Sequence, residues 1–117
     1  MNYRAIRYSD VLLMAAEANN RKASADDAKA QNYLNQVRAR AFGNDSQASS
    51  STGATLTQEI WDERRLELAM EGHRFFDLVR TGEAAAKVSG FISGKHEVFP
   101  IPQSEIDISG LTQNSGY

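Results

Sequence analysis

The sequence has no cysteine, only two prolines and only two histidines in 117 residues, and each shortage removes a kind of chemistry. Without cysteine there is no disulfide framework, no thiolate nucleophile and no cysteine-ligated zinc, so the redox compartment is not legible. A nucleophile activated by histidine could use only His73 or His96, and neither lies in a recognisable elbow motif. No His-Glu-x-x-His, no Glu-x-x-His and no aspartate-rich calcium loop occurs, so no metal ligand is assigned. A phosphate loop is missing too, since Gly43 and Gly53 flank a serine-rich stretch with no lysine after it. No cofactor follows from such a sequence.

Charge of one sign is also lacking. Thirteen Lys and Arg are interleaved with fifteen Asp and Glu, for a net charge of -2, so there is no basic stripe to neutralise nucleic-acid phosphates. The longest apolar run, Val11 to Ala16, is far below the roughly 18 residues of a spanning helix. Met1-Asn2-Tyr3-Arg4 opens without the charged, apolar and small-residue succession of a signal peptide. What remains is an ordinary globular balance, 41% hydrophobic and 24% charged, enough for one domain over residues 1–117.

Helical periodicity dominates the chain. Tyr8 to Asn20 reads as a helix, with Ser9 or Asp10 as N-cap and Asn19-Asn20 as its stop. Its apolar residues cover nearly the whole circumference, so it belongs inside, and Val11, Ala15 and Ala18 form a small stripe suited to close helix contact. Ser24 is expected to cap a second helix reaching about Phe42, with Ala30, Leu34, Val37 and Ala41 inward and Gly43 ending it. The short link makes the two an antiparallel hairpin. Residues 43–55 have almost no apolar side chain and no periodicity, and read as a mobile loop.

Helix resumes at Thr55 or Thr57, with Thr55 and Gln58 spaced as a capping box, and runs through the strong helix formers to Glu71. Gly72 interrupts it, His73 to Arg80 continues in a new direction, and Glu83 to Val88 is a further short helix. Val98 to Pro102 must be extended, because each proline disfavours helix in the residue before it. Ser104 to Asp107 suggests a single turn before a polar tail. The chain is thus all-α, with an extended irregular C-terminal tail.

The stretch Glu63 to Arg74 concentrates carboxylates, arginines and a histidine. Glu63 and Glu67, or Glu67 and Glu71, lie four apart and could work as acid and base, but the interspersed Arg64 and Arg65 favour a salt-bridged surface. On a helical wheel Trp61, Leu68 and Ala69 define one side, widened by Leu66 and Met70. Arg65 and Asp62 fall inside that arc, while Arg64, Glu67 and Glu71 point the other way. The expectation is a structural Arg65, paired with Asp62, Asp77 or the C-terminal backbone, and an Arg65→Ala variant weaker than Arg64→Ala. Tyr3, Tyr8, Tyr33, Trp61 and Tyr117 could stack on sugar rings, yet most sit at core spacing, and Trp61, Phe75 and Phe76 read as packing residues.

Four blocks together resemble the C-terminal region of the SusD/RagB family: Ile6 to Ala18, Leu34 to Ala41, Glu63 to Leu78 and Phe99 to Ile106, in order and over almost the whole chain. The resemblance implies a mainly helical fold in which residues 8–42 form one tetratricopeptide-like hairpin. It further implies a non-enzymatic, nutrient-binding protein of Bacteroidetes polysaccharide utilisation. Such a protein is surface-exposed and lipid-anchored at the cell outer membrane, and captures oligosaccharide or polysaccharide for a SusC-like TonB-dependent transporter. The family's members are several times longer and begin with a lipoprotein signal and anchoring cysteine. This chain therefore corresponds to their C-terminal part, itself soluble. The family's sugar platforms lie largely upstream, so no carbohydrate-binding residue is carried over. A helical-repeat scaffold that contacts protein and binds no sugar is the alternative.

Overall fold

The computed structural model describes residues 6–117, which contain six helices and no strand. They are α1 (Tyr8–Arg21), α2 (Asp27–Phe42), α3 (Gly53–Glu67), α4 (Arg74–Arg80), α5 (Ala84–Lys87) and α6 (Gln103–Ser109). The all-α reading holds. The chain divides into two compact units, Met1–Arg74 and Phe75–Tyr117.

In the first unit α1 and α2 form the expected hairpin, and α3 packs on both. Leu12, Leu13 and Ala16 of α1, Ala30, Leu34 and Val37 of α2, and Leu56 and Ile60 of α3 make the core, with Tyr33 packed at its edge. Within each helix these residues recur three or four positions apart, so each helix turns one stripe inward. Ala41 lies one turn beyond that core and is exposed. The small stripe of α1 also departs from expectation. Val11 and Ala18 face solvent, and Ala16 and Ala30 are the small residues in the interior.

The helix ends show which polar side chains tertiary contacts redirect. Helix α1 starts at Tyr8 without a side-chain cap. Asp10, a cap candidate by sequence, is buried and bonded to Arg64 instead. Helix α2 is capped by Asp26, not Ser24, with the Asp26 carboxylate accepting from the Lys29 amide at 3.0 Å. Gly43 ends it in the left-handed conformation, as expected of a glycine stop. Helix α3 begins at Gly53, before the threonine capping box. Its first amide is caught at 2.7 Å by Asp27 of α2, a carboxylate at a helix N-terminus supplied across the fold.

Between α2 and α3 the serine-rich segment is tied to its neighbours. Asn35 exchanges two hydrogen bonds with the Ser49 backbone, at 2.7 and 3.0 Å, and Gln31 donates to the Ser51 carbonyl at 2.8 Å.

The second unit is built from short helices around Phe75, whose ring lies 6.4 Å from those of Phe91 and Phe99. Phe76 meets the Phe75 ring edge-on at 6.0 Å and is otherwise largely exposed. Residues 98–102 are non-helical as the prolines require. The Gln113 side chain brackets Ile101, accepting from its amide at 2.8 Å and donating to its carbonyl at 2.9 Å. Asn114 donates to the Phe99 carbonyl at 2.7 Å and the Tyr117 hydroxyl to that of Val98 at 3.0 Å. The turn expected near Ser104 is the seven-residue α6, ended by Gly110.

Candidate functional site

The charged stretch after Trp61 is where the sequence concentrates its chemistry, and the structure distributes those charges unlike the wheel. Arg64 is the buried arginine and Arg65 the exposed one. The Arg64 guanidinium donates to the Asp10 carboxylate at 2.7 Å, with both side chains 6% exposed. The reason lies upstream. Leu56 and Ile60 set the inward face of α3, and about one turn beyond Ile60 that face carries Glu63 and Arg64. A wheel centred on Trp61 is rotated from it. Asp77, a partner proposed for Arg65, bonds Arg80 at 2.8 Å.

Each glutamate of the stretch is bound by an arginine from another element. Arg38 of α2 donates to Glu63 at 2.9 Å and to Glu59 at 3.2 Å. Arg7 holds both oxygens of Glu71 at 2.9 Å, while its other nitrogens reach Ser9, the Glu67 carboxylate and the Glu67 carbonyl. Arg40 also pairs with Glu67. The salt-bridged reading therefore stands, although Arg64 and Arg65 are not the partners and Glu63 is buried.

This clamp explains where α3 stops. Propensity would carry it to Glu71, but a guanidinium occupies the Glu67 carbonyl, and the Glu71 amide bonds the Leu68 carbonyl at 3.2 Å. The chain then turns through Met70, which has a positive φ of 67° and is fully exposed. Hydrogen bonds to Glu71 and then Glu67 raise the Arg7 pKa against the opposing effect of burial. The same bond from Arg7 holds the Glu71 carboxyl below the usual carboxylate range. A carboxylate so held is a poor proton donor.

Asn20, expected only as a helix stop, is a buried junction of three helices. Its amide donates to Asp27 at 2.8 Å and to the Gly53 carbonyl at 3.1 Å, and its oxygen accepts from the Thr57 hydroxyl. Its signal in the sequence was only a polar residue four beyond Ala16 on the buried face of α1.

His96 accepts the Ile92 amide at its Nδ1 at 3.0 Å, which occupies one ring nitrogen in a local turn. Among the described residues no group of three or more His, Asp or Glu is placed to hold a metal ion. No helix among them is long and apolar enough to cross a membrane.

The aromatic candidates are mostly engaged. Tyr33 packs on the core, and Tyr117 lies under the Lys95 ammonium at 4.7 Å. Trp61 is half-buried outside the main core, its ring covered by the Arg21 guanidinium at 5.5 Å. Tyr8 is open to solvent, and Tyr3 lies outside the described residues. Two cavities accompany them. One, of about 540 Å³, lies between the start of α1 and the end of α2, with Leu12 and Val37 in its lining and Arg7 and Arg40 beside them. The other, of about 310 Å³ in the second unit, is lined chiefly by Phe75, Phe91, Phe99, His96 and Tyr117.

The first unit is thus a helical hairpin with a third helix, braced by arginine–carboxylate pairs. Residues 1–97 match the SusD family, and the chain belongs to that family. Its helical fold agrees with the tetratricopeptide-like architecture of the family. The chain is 33% identical to SusD-like protein P25 of Formosa agariphila over 95% of its own length and 24% of the relative's. It is 33% identical to SusD-like protein P2 of the same organism, over 99% of this chain and 26% of that one. SusD-like protein P38 is 37% identical over 75% of this chain and 18% of its own length. The chain thus spans about a quarter of the length of the first two relatives it matches.

Proposed function

We propose that this chain is the C-terminal helical part of a SusD-like protein displayed at the outer membrane by a lipid anchor. The longer protein captures glycans for a SusC-like TonB-dependent transporter and performs no catalysis. Family membership over residues 1–97 carries this reading. The bonding of Glu63, Glu67 and Glu71 to arginines supports the non-enzymatic part, because ion pairing removes the acid–base pair that the spacing offered. Calorimetric titration of the longer protein against a panel of oligosaccharides, with co-purification of the transporter, tests it. Absence of both binding and co-purification would overturn it.

For this stretch alone a scaffold role without a sugar site is the second reading. It is supported by the engagement of three aromatic candidates, Tyr33 by the core, Trp61 by Arg21 and Tyr117 by Lys95. The same titration on the 117-residue chain decides: binding equal to that of the longer protein would exclude the scaffold reading.

A further inference from the structure

The second unit carries a cavity that neither reading above uses. It measures about 310 Å³, and Phe75, Phe91, Phe99, His96 and Tyr117 supply its rings. That volume is at the small end of ligand sites and suits one ring with a short substituent. Phe75 is tilted against Phe91 by 53° and against Phe99 by 44°, each with 6.4 Å between centroids, and His96 meets Phe91 edge-on at 5.7 Å. Rings so arranged do not lie face to face on one another, so their faces stay open to a further ring. Phe99 is 69% exposed and Tyr117 45%, apolar surface that a bound ring would remove from water. Hydrogen bonds already hold both walls, from Asn114 to the Phe99 carbonyl and from the Tyr117 hydroxyl to Val98. Binding therefore has little ordering to impose.

The polar groups of the cavity are chiefly donors. Nδ1 of His96 accepts the Ile92 amide at 3.0 Å, so in the neutral ring the proton sits on Nε2. Among the described residues no protein group bonds that N–H. Ser89 adds a hydroxyl to the lining, and the Lys95 ammonium lies over Tyr117 at 4.7 Å. Among the described residues no Asp or Glu lines the cavity. A cationic ligand is disfavoured, because Lys95 already takes a face of Tyr117 and no carboxylate is there to neutralise a second cation. An anionic acceptor is favoured.

We propose that this cavity binds a small planar aromatic carboxylate. The ring packs among Phe91, Phe99 and Tyr117, and the carboxylate accepts from His96 Nε2 in the positive field of Lys95. The site lies within residues 75–117 and does not depend on glycan capture.

Cinnamate titrated into the isotope-labelled 117-residue chain and followed by NMR tests the assignment. Saturable shifts around residues 88–99 are expected, with a dissociation constant of about 1 mM or tighter. Overhauser contacts should join the cinnamate ring to the Phe91 and Tyr117 rings. Phe91→Ala should weaken binding at least about tenfold, while Phe76→Ala, outside the lining, should stay within about twofold. In His96→Asn the side-chain oxygen replaces Nδ1 as acceptor of the Ile92 amide but nothing occupies the Nε2 position, and binding should weaken at least about fivefold. Cyclohexanecarboxylate, which lacks the flat ring, and phenyltrimethylammonium, which reverses the charge, should each bind at least about tenfold more weakly.

No saturable shift, or contacts confined to other residues, would overturn the proposal. Equal affinity for phenyltrimethylammonium or for methyl cinnamate would also overturn it, by removing the carboxylate. Glucose binding more tightly than cinnamate would give the cavity to a sugar and overturn it as well. The Overhauser contacts are read in the unsubstituted chain, so they decide even where a variant fails to fold. Neither glycan capture nor the transporter enters this measurement, so failure of either reading leaves the other standing.

Discussion

The Arg64 guanidinium and the Asp10 carboxylate meet at 2.7 Å inside the first unit, 54 residues apart in sequence. Both charges are removed from water, and the Asp10 carboxylate is compensated by Arg64, so losing Arg64 strands a buried carboxylate. The adjacent Arg65 points into solvent.

Arg64→Ala should therefore destabilise the first unit by about 3–5 kcal/mol, while Arg65→Ala should stay within about 0.5 kcal/mol. Urea unfolding of the two variants measures this. Equal midpoints would show that the buried pair carries no stability.

Replacing both members tests whether the pair or the packing is needed. Asp10→Leu with Arg64→Met should be less destabilised than Arg64→Met alone, because Asp10→Leu removes the buried carboxylate that Arg64→Met strands. A double-mutant cycle with zero coupling would contradict that account.

Asn20→Ala removes bonds to Asp27, the Gly53 carbonyl and Thr57 together. A loss of about 1–3 kcal/mol is expected, with faster hydrogen exchange in the first turn of α3. Unchanged exchange there would mean that the junction does not set the start of α3.

In α2, Leu34→Ala should cost about 2–5 kcal/mol, because Leu34 is fully buried. Ala41→Ser should be close to neutral, because Ala41 is exposed. Thermal melts of the pair separate the true inner face from the longer one that periodicity suggests.

Acid should weaken the fold in a defined window. Glu59 is pushed up by burial, but bonds from Ser51, Ser49 and Arg38 outweigh this and hold it low. Asp27 is lowered by the Gly53 amide and then Asn20, and Glu71 by Arg7. All three are depressed in the folded state, so their contribution is complete above the ordinary carboxylate value of about 4 and is lost as pH falls through the folded values. The melting temperature should be flat from about pH 7 to 5 and drop below about 4. The Asp27→Asn, Glu59→Gln, Glu71→Gln triple variant should show a shallower drop. Parallel curves would exclude these groups as its cause.

Sequence alone determined whatever rests on local periodicity or covalent geometry. The stripe Ala30, Leu34 and Val37 named the inward face of α2, Gly43 its end, and the two prolines the non-helical segment before α6. Its motif blocks also placed the chain in its family. Tertiary structure decided which charge goes inside and where α3 stops. Helix α1 is apolar nearly all round, so its own pattern could not select the face that packs. That selection follows from where α2 and α3 lie. The same contacts turn Asp10 from a possible cap into a buried partner, bring Arg7 onto the Glu67 carbonyl, and make Arg64 rather than Arg65 the internal brace. Such pairings depend on residues more than 50 positions apart, and a helical wheel contains only the residues of its own helix.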